Sequence, residues 1–82
     1  MTPKIISVKP VDDYQIEIIY HNKEKRVLNI KPLLKKGKFS ELKDKAFFDS
    51  ARVSFDTIEW PNGIDIDPED IYKTSLLVEN IS

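Results

Sequence analysis

Cysteine is absent from this chain of 82 residues, so no disulfide framework, thiolate metal site or cysteine nucleophile can be built. Stability has to come from packing alone. Glycine occurs only at Gly37 and Gly63, too sparsely for a phosphate-cradling loop or a dinucleotide fingerprint. The one histidine, His21, sits at a hairpin tip beside Asn22 and Lys23 with no Ser/Asp set to recruit it, and reads as a solvated turn residue. No stretch approaches the roughly 18 apolar residues of a membrane span, and Met1-Thr2-Pro3-Lys4 leads into only a short apolar run. A cytoplasmic location with no membrane partner is the expectation. Neither charge sign dominates: 13 Lys+Arg stand against 14 Asp+Glu, which excludes a disordered like-charge polyelectrolyte. The length excludes a multidomain enzyme, and a chain of this size buries only about 60 to 65% of its unfolded surface, which leaves little room for a deep substrate cavity.

The near-neutral total hides an asymmetry. Residues 1–40 carry nine basic and four acidic side chains, whereas residues 41–82 carry four and ten. Either folding intermixes the halves into an ordinary solvated surface, or a basic and an acidic face steer partners.

Repeats, low-complexity tracts and Gly/Ser linkers are missing, so the chain reads as one unit. Ile6 and Val8 alternate with Ser7 and Lys9, and Tyr14, Ile16, Ile18 and Tyr20 alternate with polar neighbours, the period of half-buried strands. Pro10-Val11-Asp12-Asp13 and His21-Asn22-Lys23-Glu24 have turn chemistry, and Arg26, Leu28 and Ile30 alternate beyond them. A three-stranded antiparallel meander follows. Pro32 and Gly37 bound a one- or two-turn helix over Lys31 to Lys36, inserting Leu33 and Leu34. Ser40 and Asp44 can cap a second short helical segment, with Phe39, Leu42, Phe47 and Phe48 on its apolar side.

Arg52 to Trp60 reads as strand, but Val53 and Phe55 share one parity and Ile58 and Trp60 the other, so a bulge or tight turn must intervene near Asp56-Thr57 and let both face the core. Pro61-Asn62-Gly63 is a turn. Asp67, Pro68, Glu69 and Asp70 supply a cap oxygen, a Pro at the first helical position and acids at the positive end of the dipole, a strong start for a last helix.

Three groupings could carry function. Asp65, Asp67, Glu69 and Asp70 superficially resemble a hard-cation loop, but Pro68 stiffens its middle and helix capping already employs these acids, so no metal ligand is assigned. Lys31, Lys35, Lys36 and Lys38, continued by Lys43 and Lys45 around Phe39, have the minimal composition of a nucleic-acid phosphate contact. That stretch lacks Arg, Asn and Gln for reading base edges, lacks a recognition helix, and is interrupted by Glu41 and Asp44. A solvated lysine-rich face fits it better. Trp60-Pro61-Asn62-Gly63, followed by Asp65, joins the only tryptophan to a rigid turn: either Trp60 plugs the small core while the turn shapes the chain, or the loop is a protein-binding hot spot.

Val8-Lys9-Pro10 with Asp13-Tyr14, Pro32-Leu33-Leu34 with Gly37 and Phe39, and the ordered set Val53, Phe55, Thr57-Ile58, Trp60-Pro61-Asn62-Gly63, Asp65-Ile66, Pro68 and Ile71-Tyr72 resemble the bacterial "domain of unknown function 2442" family over residues 2–73. The resemblance implies a small prokaryotic α+β domain, sometimes fused ahead of a helix-turn-helix segment and often encoded beside another small protein in pairs of toxin and antitoxin type. It implies no catalytic residues. This chain departs from the pattern at Asn22-Lys23, where many members carry Asn-Gly, and in continuing from Lys73 to Ser82 without a DNA-binding segment. The first change loosens the hairpin, because Lys resists positive φ; the second argues against autonomous nucleic-acid binding.

The expected fold is therefore α+β: an antiparallel sheet of four or five strands starting with the meander, short helices on one side, and a final helix from Pro68. The domain spans 1–73, with an apolar extension over 74–82. The expected core is Ile6, Val8, Ile16, Ile18, Leu28, Leu33, Leu34, Phe47, Val53, Ile58, Trp60 and Ile71. The expected function is a non-enzymatic, cofactor-free protein-interaction module, the antitoxin-like member of a small two-protein pair, with Trp60, Pro61, Asn62, Gly63 and Asp65 as candidate partner contacts. The alternative is a nucleic-acid-associated transcriptional regulator using Lys31, Lys35, Lys36 and Lys38. The partner is a small protein or a second copy of the chain. Leu76, Leu77, Val78 and Ile81 must go somewhere: onto the helix end, into an edge strand, or out as a docking segment.

Overall fold

The structure, a computed structural model, describes residues 2–54 and 56–80. Alternation along β2 (Gln15–Tyr20) puts Ile16, Ile18 and Tyr20 on one side, where all three are lost to solvent. β1 (Ile5–Val11) and β3 (Glu24–Asn29) flank it antiparallel, giving the expected meander. Its first turn holds Asp13 and Tyr14 at φ 66° and 56°. The Tyr14 ring stands edge-on to Phe48 at 5.3 Å and its hydroxyl donates to the Lys43 carbonyl, contacts that offset the cost of left-handed backbone. At the second turn Lys23 takes φ 72°, the conformation Gly would adopt freely. The Asn22 Oδ1 accepts the Glu24 N–H at 3.1 Å and closes the turn.

One core position differs from the sequence pattern at the start of β1. Ile5 pairs with Tyr20 and Ser7 with Ile19, so Ile6 is the extra residue of a β-bulge. The bulge shifts parity by one: Ile5 is buried, Ile6 is 55% exposed, and Val8 is only partly covered.

The helix expected over Lys31–Lys36 is a single 3-10 turn, Lys31–Leu33, followed by a 3-10 segment over Gly37–Lys43. The first turn follows Ile30, which has no side chain to cap it, and six residues cannot repay helix nucleation. Leu34 and Leu42 are buried, while Leu33 and Phe39 are half-covered. Ser40 lies within the second segment; Asp44 is the residue that caps, its Oδ1 accepting the Ala46 N–H at 3.1 Å ahead of α1 (Lys45–Phe48). Phe48, not Phe47, is the side chain driven fully inside, because Tyr14 and Trp60 both pack on it.

The expected tight turn in the 52–60 segment closes a hairpin of β4 (Arg52–Ser54) and β5 (Thr57–Glu59), with Asp56 at φ 68°. Val53 and Ile58 become cross-strand partners, which resolves their parity conflict. Only Ile58 reaches the core; Val53 stays 37% exposed at the hairpin margin, contrary to the expected core, and Phe55 lies outside the described residues. α2 (Pro68–Thr74) begins as expected, with the Asp67 Oδ1 accepting the Glu69 N–H at 2.9 Å. It ends at Ser75, whose extended backbone redirects the chain into β6 (Leu76–Asn80).

The fold is α+β: a four-stranded antiparallel sheet in the order β1-β2-β3-β6, a two-stranded sheet β4-β5, and short helices. Trp60, Ile58, Ile64, Ile71 and Phe48 cover the inner face of the large sheet as one cluster. Full burial of each such side chain is worth about 1.5–3 kcal/mol. No helix among the described residues is long and apolar enough to cross a membrane.

Candidate functional site

Trp60 follows β5 and is wholly buried, its indole N–H donating to the Phe48 carbonyl at 3.1 Å. It plugs the core and offers no surface to a partner. The residues after it build a closed turn: Gly63 sits at φ 86° and donates to the Trp60 carbonyl at 2.9 Å, Trp60 N–H donates to Ile64 at 3.0 Å, and Asn62 Oδ1 accepts from Ile64 N–H at 3.0 Å. Asn62 also reaches Glu41 at 2.7 Å, tying the turn to the Gly37–Lys43 segment. Of the five candidate partner contacts, Pro61, Asn62, Gly63 and Asp65 are exposed and Trp60 is not.

Asp65 opens onto a cleft of about 370 Å³. Leu28 of β3, Pro32 and Leu33 of the first 3-10 turn, Phe39 of the second and Ile66 form its apolar walls. Asp65, Asp67 and Asp70 line it together with Asn29 and Thr74, and among the described residues no cationic side chain does. Two local features hold this side of the cleft: the Asp65 backbone forms an isolated antiparallel β-bridge with Glu59 of β5, and the Thr57 hydroxyl donates to the Ile66 carbonyl. All the walls but Ile66 come from the lysine-rich half of the sequence, and the carboxylates come with Ile66 from the acidic half, an assembly with no local signal in the sequence. Among the described residues, no three His, Asp or Glu side chains gather closely enough to hold a metal ion.

Lysines 31, 35, 36 and 38 are exposed along the 3-10 segments, and the Lys31 ammonium is engaged by Asp13. No helix presents them as a unit for a groove. His21 is exposed at its turn.

A polar cluster that the sequence did not announce fastens α2 and β6 to the sheet. The Arg26 guanidinium lies 3.9 Å from the centre of the Tyr72 ring, donates to the carbonyls of Tyr72 and Ser75 at 3.2 and 3.1 Å, and pairs with Glu24 at 2.8 Å. The Tyr72 hydroxyl also donates to Glu24, at 2.8 Å. The Arg26 hydrogen bond, and then that of Tyr72, hold the Glu24 carboxyl below its ordinary range. Beside them Tyr20 stands edge-on to Tyr72 at 5.2 Å, and burial pushes its phenol up to about 12.

β6 is the second distinctive surface. It pairs with β3 through Val27↔Leu76 and Arg26↔Leu77, with a bulge before Lys25↔Glu79. Its other edge has no strand beside it among the described residues, and Leu76, Leu77 and Val78 are 74, 49 and 54% exposed. Of the alternatives for the tail, the structure takes the edge strand; Ile81 lies outside the described residues.

These features define a small α+β domain with a short meander, a Trp-Pro-Asn-Gly turn locked over its core and a carboxylate-rimmed cleft beside that turn. Residues 5–75 match the model of the family described as "Protein of unknown function (DUF2442)", and the chain belongs to that family. The match stops just short of β6. No curated protein and no solved structure matches the chain.

Proposed function

We propose that this chain is a non-enzymatic protein-interaction module of the cytoplasm, the antitoxin-like member of a small two-protein pair, and that β6 is its docking edge. The observation carrying the reading is the conjunction on one strand of a free backbone edge with three large, exposed apolar side chains. A free edge offers unpaired N–H and C=O groups to an extended partner segment, and alternating side chains supply the selectivity. Proteins ordinarily blunt such edges with Lys or Pro; Leu76–Asn80 contains neither, and its one acid, Glu79, is drawn to Lys25 at 3.8 Å. The β6 bulge twists the strand without covering it.

The test is co-purification of the full chain from its native host, read by intact mass, beside Val78→Lys. The expected result is a stoichiometric small protein with the parent chain that is lost from the variant, while the variant keeps its melting temperature. A parent chain that runs as a clean monomer, or a partner retained by Val78→Lys, overturns the reading. Duplex or RNA binding at physiological salt, lost on neutralising Lys35, Lys36 and Lys38, would replace it with the regulator alternative.

A further inference from the structure

We propose that the cleft between the Lys31–Phe39 segment and α2 receives a cationic, otherwise apolar stretch of a partner polypeptide, a lysine or arginine flanked by an aliphatic residue. This inference stands on the cleft alone and does not depend on the β6 reading. The walls made by Leu28, Leu33, Phe39 and Ile66 are hydrocarbon, and the volume of about 370 Å³ lies at the lower end of the range for small-ligand sites. The charged groups in the lining are all carboxylates, Asp65, Asp67 and Asp70. Among the described residues none of the three forms an ion pair, although Glu17, Glu24, Glu59, Glu79, Asp13 and Asp49 do. One Asp67 oxygen is committed to the Glu69 N–H, so α2 is already capped and its N-terminus is closed to an anion. A low-dielectric wall beside uncompensated negative charge selects a ligand that is apolar along its stem and positive at its tip, the anatomy of a Lys or Arg side chain. The backbone β-bridge between residues 59 and 65 and the Thr57–Ile66 hydrogen bond hold this side of the cleft in place before the ligand arrives, which lowers the ordering cost of binding.

The probe is the acetylated, amidated tripeptide Lys-Leu-Lys, titrated into the full ¹⁵N-labelled chain and followed by amide shifts. Saturable shifts confined to residues 28–39 and 65–74 are expected, weakened at high salt. The double variant Asp65→Asn with Asp70→Asn, which leaves the cap residue Asp67 untouched, should weaken binding about threefold to tenfold. Glu-Leu-Glu should not bind, and Lys-Gly-Lys should bind several-fold more weakly. Val78→Lys should leave the titration unchanged, which separates this result from the fate of the β6 proposal. Shifts that never saturate or that spread over the whole surface, equal binding of either control peptide, or an unaffected double variant would each overturn the assignment.

Discussion

Tyr20→Phe should leave this protein as stable as before or raise its stability, although it alters one of the most deeply buried side chains. The ring is 1% exposed and packs edge-on against Tyr72, contacts a phenylalanine keeps without change of shape. The hydroxyl is different: it is buried and finds no hydrogen-bond partner among the described residues. A phenol desolvated without a partner costs about 1–3 kcal/mol, so its removal should return about 1 kcal/mol after relaxation. In a domain of this size that raises Tm by about 4–8 °C. The alkaline limb supplies a second readout. Burial lifts the phenol from 10.0 to about 12, so its contribution is intact below the unfolded value of 10.0 and is lost as pH rises toward about 12. One pH unit above the unfolded value, the parent should have lost about 1.4 kcal/mol that the variant does not lose. Urea unfolding by circular dichroism at pH 7, 10 and 11 measures both effects. Destabilisation by more than about 1 kcal/mol at pH 7, or a gap between parent and variant that fails to widen above pH 10, would show that the hydroxyl is not an unsatisfied buried group.

Arg26→Met keeps the aliphatic stem but removes the guanidinium donor from the Ser75 carbonyl, leaves the Tyr72 carbonyl with only the Ser75 hydroxyl and Glu24 without its cation, and should cost about 2–4 kcal/mol by thermal unfolding. Glu24→Gln should flatten the acid limb of stability. The depressed Glu24 carboxyl contributes above its unfolded value of 4.5, and that contribution fades as pH falls through the lower folded value, so parent and variant should converge at low pH in urea titrations between pH 7 and 3. Trp60 should emit in the blue and resist acrylamide until the protein unfolds, because its indole is fully buried and hydrogen-bonded. Val78→Lys should change stability by no more than about 0.5 kcal/mol, since the side chain it replaces is 54% exposed.

Local chemistry in the sequence sufficed wherever one strand or one turn settled the outcome. The alternation of Ile16, Ile18 and Tyr20 dictates which face of β2 is buried, because a strand has only two. Asp67-Pro68 dictates the start of α2, because the cap oxygen and the fixed φ lie within three residues of the N–H they serve. Asn62 and Gly63 likewise dictate the turn after Trp60. What the sequence could not decide depended on partners far along the chain. Whether Ile5 or Ile6 enters the core turns on a bulge set by pairing with β2, and a shift of one residue inverts every face beyond it. Phe48 prevails over its neighbour Phe47 because Tyr14 and Trp60, distant in sequence, form its pocket. The residues after Ser75 become a strand because β3 offers an edge and Arg26 holds the Tyr72 and Ser75 carbonyls there; Val27 pairs with Leu76, far along the chain. The cleft is the extreme case, its walls drawn from residues 28, 33, 39 and 66. No periodicity links such positions, because only the closing of long loops against one core brings them together.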